Sequence, residues 1–149
     1  MRLRRELHGL IVAALLLAAA APKPVVLPGI SYQVLQSGLA SGAHPTRTDE
    51  VDVHYTGRLT NGEVFSASPD GGKGVSTFPV QRVIPGFMAA VLLMRPADHW
   101  RVTLPPYLAY GAPGRAMGPQ ASAMQSRDIP PNATLIFDIE LVAIRPAAR

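Results

Sequence analysis

The sequence predicts one α+β domain in which several short antiparallel strands surround a single short helix. Three observations carry this. Apolar and polar residues alternate in three segments, around residues 51–55, 100–104 and 135–141, with Ile136 the one exception, which is the period of a half-buried strand. Only one segment, residues 87–94, shows helical spacing. The 15 Pro and 13 Gly among 149 residues divide the chain into short elements joined by turns. This length holds one domain with a core, and no internal repeat is present.

The elements follow in order. Residues 30–35 form a first strand closed by Ser37-Gly38, and residues 39–47 read as loop. From Glu50, Val51, Val53 and Tyr55 alternate with Asp52, His54 and Thr56 as a second strand, which Gly57 interrupts. Asn61-Gly62 is a turn signal before Glu63-Val64-Phe65. Residues 66–76, rich in Gly, Ser, Pro and Asp, read as loop. Val83-Ile84-Pro85-Gly86 leads into the helix, where Phe87, Ala90, Val91 and Met94 share one face before Pro96 ends it. Trp100, Val102 and Leu104 mark a further strand. Residues 111–128 form a long loop, and Leu135, Phe137, Ile139 and Leu141 give the clearest strand.

Composition removes several functional classes. A hydrophobic content of 48% is too high for a disordered chain. With no Cys there is no disulfide, no Cys-ligated zinc and no thiol nucleophile. The first nine residues are short and basic, residues 10–21 are unbroken apolar sequence, and Pro22-Lys23-Pro24 ends the run. This is the pattern of a secretory signal peptide over residues 1–21, cut after one of Ala19, Ala20 or Ala21. A spanning anchor needs about 20 apolar residues, so the chain meets a membrane only if this segment stays uncut. The Arg4-Arg5 pair is a weak sign of twin-arginine export, and no lipid-accepting Cys follows. A Pro-rich lead-in (22–29), a domain (30–145) and a tail (146–149) complete the organisation, and the protein is expected in the periplasm or outside the cell.

The sequence pI near 10.0 invites a nucleic-acid reading, but the net charge is only +4. Residues 1–21 carry three of the 14 basic and one of the 10 acidic residues, leaving 11 against 9. No nucleic-acid partner is expected.

Asp52 and His54 on one strand face, with Glu50 beside them, raise the question of a metal. Such residues on a solvent face are ordinary, and no partner cluster is evident, so no metal is expected. No G-x-S-x-G accompanies Asp98-His99, and Asp70-Gly71-Gly72-Lys73-Gly74 misses the spacing of a phosphate loop. These residues read as solvated. Aromatic residues, by contrast, stand at element boundaries: Tyr55, Phe65, Phe87 and Tyr110. Singly each is ordinary core; together they read as walls of a concave apolar pocket rimmed by loops.

Five blocks occur in order: Val53-His54-Tyr55-Thr56-Gly57, Asn61-Gly62-x-x-Phe65, Val83-Ile84-Pro85-Gly86-Phe87, Ala109-Tyr110-Gly111, and residues 129–141, IPPNATLIFDIEL. Together they resemble the FKBP-type peptidyl-prolyl cis-trans isomerases, the tacrolimus-binding immunophilins, over residues 30–144. The resemblance implies a curved sheet of five or six antiparallel strands wrapped around the helix. It implies rotation about the bond before proline in extended or unfolded polypeptides, with tacrolimus-type macrolides as possible inhibitors. That reaction requires no nucleophile, metal or cofactor. The resemblance assigns Tyr55, Phe65, Phe87, Tyr110 and Phe137 as catalytic lining. It adds Ser66, Phe78, Val83, Ile84, Ala109 and Ile129 as substrate-binding residues, with the Ile84 N–H and the Tyr110 hydroxyl as donors.

Two positions depart from the family pattern. Ser66 stands where the family usually has Asp, and Phe87 where it usually has Trp. Lower turnover and weaker macrolide affinity are expected, with an apolar but deeper floor. Met88, Leu92 and Leu93 lie off the helix core face, either under the lead-in or as an exposed patch. The loop 111–128 is longer than the family version and carries Met117 and Met124. Flexible thioethers suit varied apolar segments. The alternative reading is therefore a periplasmic chaperone or polypeptide-binding module on the same fold with weak isomerase activity.

Overall fold

The computed structural model describes residues 29–118 and 127–148; the signal segment, the lead-in up to Pro28 and Met124 lie outside the described residues. Six strands form one antiparallel sheet. Its order is β1 (Ser31–Gln36), β5 (His99–Leu104), β6 (Leu135–Arg145) and β2 (Glu50–Leu59), and both β3 (Val64–Ala67) and β4 (Ser76–Pro79) pair with β2. β2 and β6 pair over their full length, from Glu50 opposite Arg145 to Leu59 opposite Leu135. Alternation sends Val51, Val53, Tyr55, Val102, Leu104, Leu135, Phe137, Ile139 and Leu141 into the core. Helix α2 (Pro85–Val91) supplies Phe87, Ala90 and Val91 to the same core.

The loop expected over residues 66–76 begins later, since Ser66 and Ala67 belong to β3, and β4 follows it where no element is expected. Its residues instead complete an edge strand made in two pieces. β3 pairs with β2 at Thr56–Arg58, and β4 pairs at Glu50–Val53. Between them residues 68–75 leave the edge through α1 (Pro69–Gly72), a single turn in which Asp70 and Gly71 have left-handed φ. Where the ladder is interrupted, Ser68 replaces it. Its Oγ accepts from the Tyr55 N–H (3.1 Å), and its own N–H donates to the Tyr55 carbonyl (3.0 Å). The buried backbone groups of Tyr55 are thus satisfied.

Other expectations need correction. Gly57 does not interrupt β2, which runs continuously to Leu59 with a bulge against β3 after Gly57. A side chain there has no room. A Cβ would lie 2.7 Å from Phe65 Cζ and 2.8 Å from Phe137 Cε1. The helix starts at Pro85, two residues earlier than expected, since Pro is well suited to the first helical position. It ends at Val91 with Leu92 as cap, and tighter bonds from Leu93 and Met94 continue the turn. Met94 stays fully buried, so side-chain periodicity outlasts the regular helix. Met88 and Leu92 pack against the core, leaving Leu93 half-exposed.

The polar residues read as solvated are partly structural. Asp52 is buried, accepting from Thr77 Oγ1 (2.6 Å) and from Arg145 Nε (2.9 Å). Asp98 is buried and accepts from the Gly38 and Arg95 N–H groups, each at 2.6 Å. It ties the end of β1 to the turn after α2. The six residues of β1 are all exposed at the sheet edge, where Tyr32 stacks on Trp100 with ring centres 4.3 Å apart.

Candidate active site

A recess of about 250 Å³ opens between the start of α2 and the β2–β3–β6 part of the sheet. Five rings line it. Tyr55 comes from β2, Phe65 from β3, Phe78 from β4, Phe87 from α2 and Phe137 from β6. Phe87 sits edge-on to Phe137 at 5.3 Å and to Tyr55 at 6.0 Å; Phe65 sits edge-on to Phe137 at 5.6 Å. Such contacts fix each ring by its neighbours, so the cavity keeps its shape without a guest.

The local sequence explains how the rings converge. Gly57 leaves the space that Phe65 and Phe137 fill across the β2 ladder. Gly86 allows the start of α2 to press onto β5, because a Cβ there would lie 2.6 Å from Leu104 Cδ2 and 3.0 Å from the Leu108 carbonyl. Pro85 and Gly86 together place Phe87 beneath the opening.

The rim is polar and carefully partnered. Tyr55 Oη and Ser66 Oγ share a hydrogen bond of 2.9 Å. Burial pushes the Tyr55 hydroxyl pKa above its ordinary value, with the Ser66 bond opposing and nearby Tyr110 adding slightly. Tyr55 is therefore a neutral phenol at physiological pH. Arg115 Nη1 donates to Tyr110 Oη at 3.2 Å, with its guanidinium carbon 5.5 Å from the Tyr110 ring centre. Because that bond uses a lone pair of the phenol oxygen, the Tyr110 proton remains free to donate. The Ile84 N–H, at the cap of α2, has no intramolecular acceptor among the described residues. Ile129 is held by reciprocal backbone bonds with Arg115 at 2.8 and 2.9 Å, which close the base of the long loop.

Of the residues assigned from sequence, Tyr55, Phe65, Ser66, Phe78, Val83, Ile84, Phe87, Tyr110, Ile129 and Phe137 all line this recess. Ala109 does not; it packs against the core beside Tyr110. Two lining residues were missed, Arg82 and Arg115. Arg82 directly precedes the Val83-Ile84 block, the one sequence cue it offered; Arg115 had none. Among the described residues no three His, Asp or Glu side chains gather as metal ligands. His54 Nδ1 instead meets the Gly74 carbonyl at 2.9 Å.

Residues 41–142 match the profile of a family described as FKBP-type peptidyl-prolyl cis-trans isomerase. The chain belongs to this family. A similar curated protein is the FKBP-type isomerase FkpA of Aeromonas hydrophila, 45% identical over 121 residues, covering 80% of this chain and 40% of FkpA. Another is the outer membrane protein MIP of Legionella longbeachae, 42% identical over 128 residues, covering 85% of this chain and 49% of MIP. The chain thus spans about half or less of these relatives. A crystal structure of a peptidyl-prolyl cis-trans isomerase from Pseudomonas syringae pv. tomato is 31% identical with a TM-score of 0.63, covering 78% of this chain and 76% of that one. The six-stranded antiparallel FKBP fold around a short helix is therefore established for this chain.

Proposed function

We propose that this FKBP-type domain accelerates cis–trans rotation about Xaa–Pro bonds in extended, exported polypeptides. The carrying observation is the preformed ring-lined recess, with the Ile84 N–H and the Tyr110 hydroxyl at its rim. Planar amide resonance sets a barrier of about 18–20 kcal/mol, and uncatalysed exchange takes tens to hundreds of seconds. Twisting the C–N bond breaks resonance and reduces charge separation between oxygen and nitrogen. Water favours the planar, more polar form; a dry apolar recess removes that advantage and binds the twisted form better. No bond is made or broken, so no nucleophile or cofactor is called on.

In this reading Phe87 is the floor beneath the prolyl ring, and Tyr55, Phe65 and Phe137 are its sides. Phe78, Val83 and Ile129 extend the wall. The Ile84 N–H and the Tyr110 hydroxyl bind carbonyls flanking the proline, and Ser66 holds Tyr55 in place. The same cavity is the proposed site for tacrolimus-type macrolides. Export is supported by the signal-like residues 1–21 and by the outer-membrane designation of the Legionella relative.

A second reading, polypeptide binding with little isomerisation, is favoured by the exposed Tyr32, Val34 and Leu35 on edge strand β1. A protease-coupled assay separates the two. The isomerase reading expects faster cleavage of the cis fraction of a prolyl peptide, lost in Phe137→Ala. Absence of any acceleration by the purified protein would overturn it, and aggregation suppression that survives Phe137→Ala would favour the second.

A further inference from the structure

The mouth of the recess carries two positive charges and no negative one. Arg82 follows β4 and Arg115 follows β5; both line the recess and both are exposed. Neither forms an ion pair among the described residues. The polar group on the wall, Ser66, is neutral. No Asp or Glu lines the recess; Asp128, next to Ile129, keeps its charge but is bonded to the Met117 N–H, and Glu63 pairs with Arg127 at 2.9 Å. The loop residues 119–126 include no Asp or Glu.

Charges at the edge of an apolar cleft focus their field into it. A peptide gripped by its prolyl ring leaves the recess past this rim. With about 3.3–3.6 Å of chain per residue, the residues next to the proline lie at the mouth. A carboxylate there meets a guanidinium; an ammonium meets repulsion. We propose that the site selects prolyl substrates carrying Asp or Glu immediately before or after the proline. This rests on the isomerase reading and adds the substrate class.

The test uses the full chain and peptides that differ only at the residue before, or after, proline: Glu, Gln or Lys. Exchange spectroscopy gives kcat/KM for each. Exposed pairs contribute weakly, so about a threefold gain for Glu over Gln is expected, with a similar loss for Lys, in at least one series. The Glu-to-Lys ratio should shrink as salt is raised, because the screening length falls from about 10 Å at 0.1 M to about 3 Å at 1 M. It should also shrink in Arg82→Gln, and more in Arg82→Gln combined with Arg115→Gln. Arg82→Gln is the cleaner variant, since Arg115 also bonds Tyr110. The ratio is taken within each protein, so a general loss of rate cancels. Equal rates for Glu, Gln and Lys peptides in both series, or a ratio untouched by both substitutions, overturn the inference while the isomerase reading stands. No acceleration of any peptide overturns both.

Discussion

Gly57→Ala places one methyl group at the centre of the ring cage. Its carbon would stand 2.7 Å from Phe65 Cζ and 2.8 Å from Phe137 Cε1, whereas carbon atoms pack at about 3.5–4.0 Å. Each ring must therefore retreat by roughly 0.7 Å or more. Phe65 and Phe137 already brace each other edge to face, and Phe137 is braced by Phe87, so the space available to them is the recess. Overpacking of this kind costs about 1–3 kcal/mol. With a urea dependence of about 1–3 kcal/mol per molar, the unfolding midpoint should fall by about 1 M. Because a misplacement near 1 Å can cost up to about a hundredfold in rate, kcat/KM should drop at least about tenfold. Urea titration followed by circular dichroism, beside the isomerase assay, reads both. Gly29→Ala, with nothing within 4 Å of the new carbon, should alter neither. A Gly57→Ala protein with an unchanged midpoint and full activity would refute the idea that this glycine exists to admit two rings.

Tyr110→Phe removes the hydroxyl donor while keeping the ring, and should lower kcat/KM about fivefold, as loss of one hydrogen bond of about 1 kcal/mol implies; unchanged kinetics would remove Tyr110 from the set of donors. Asp98→Ala leaves the part-buried Gly38 and Arg95 amides without their acceptor and should cost about 1–3 kcal/mol in urea unfolding. Asp52 is held below its ordinary value of 3.8, chiefly by its hydrogen bond from Arg145 and then that from Thr77, and Asp49 is lowered chiefly by the Thr46 N–H. Carboxyls depressed in the folded state lend stability that is complete above the unfolded value and is lost as pH falls through the lower folded value. Unfolding midpoints should thus be level above about pH 5 and decline with acid below about pH 4. Asp52→Asn should flatten that decline, and an acid limb unaltered by the substitution would show that Asp52 is not linked to folding.

The sequence carries the fold where the signal is local and periodic. β2 and β6 are legible because apolar residues alternate over long runs, and the ring positions other than Phe78 are legible because they sit inside recognisable blocks. β4 was not, since Ser76–Pro79 becomes a strand only by pairing with β2, a contact with no local signature. Gly57 looked like a break because glycine weakens isolated strands, yet the packing of two distant rings demands it. The helical spacing identified the buried face correctly but not its boundaries, because Met94 stays buried beyond the last helical turn. Asp52 and Asp98 looked solvated because their partners, Arg145 and Gly38, are 93 and 60 residues away. Arg82 ends a short 3-10 turn after β4 and Arg115 lies in the loop after β5, and only folding brings them to one mouth.

The central claim is that a dry cage of aromatic side chains lowers the rotation barrier of a prolyl amide. Proton-exchange spectroscopy on a short Xaa–Pro peptide tests it most directly, because cis and trans signals report interconversion without a coupled protease. Cross-peaks between the two forms should grow with added protein, vanish on titration with tacrolimus, and be absent with Phe137→Ala. Exchange that stays at the uncatalysed rate with the folded protein present would contradict the account.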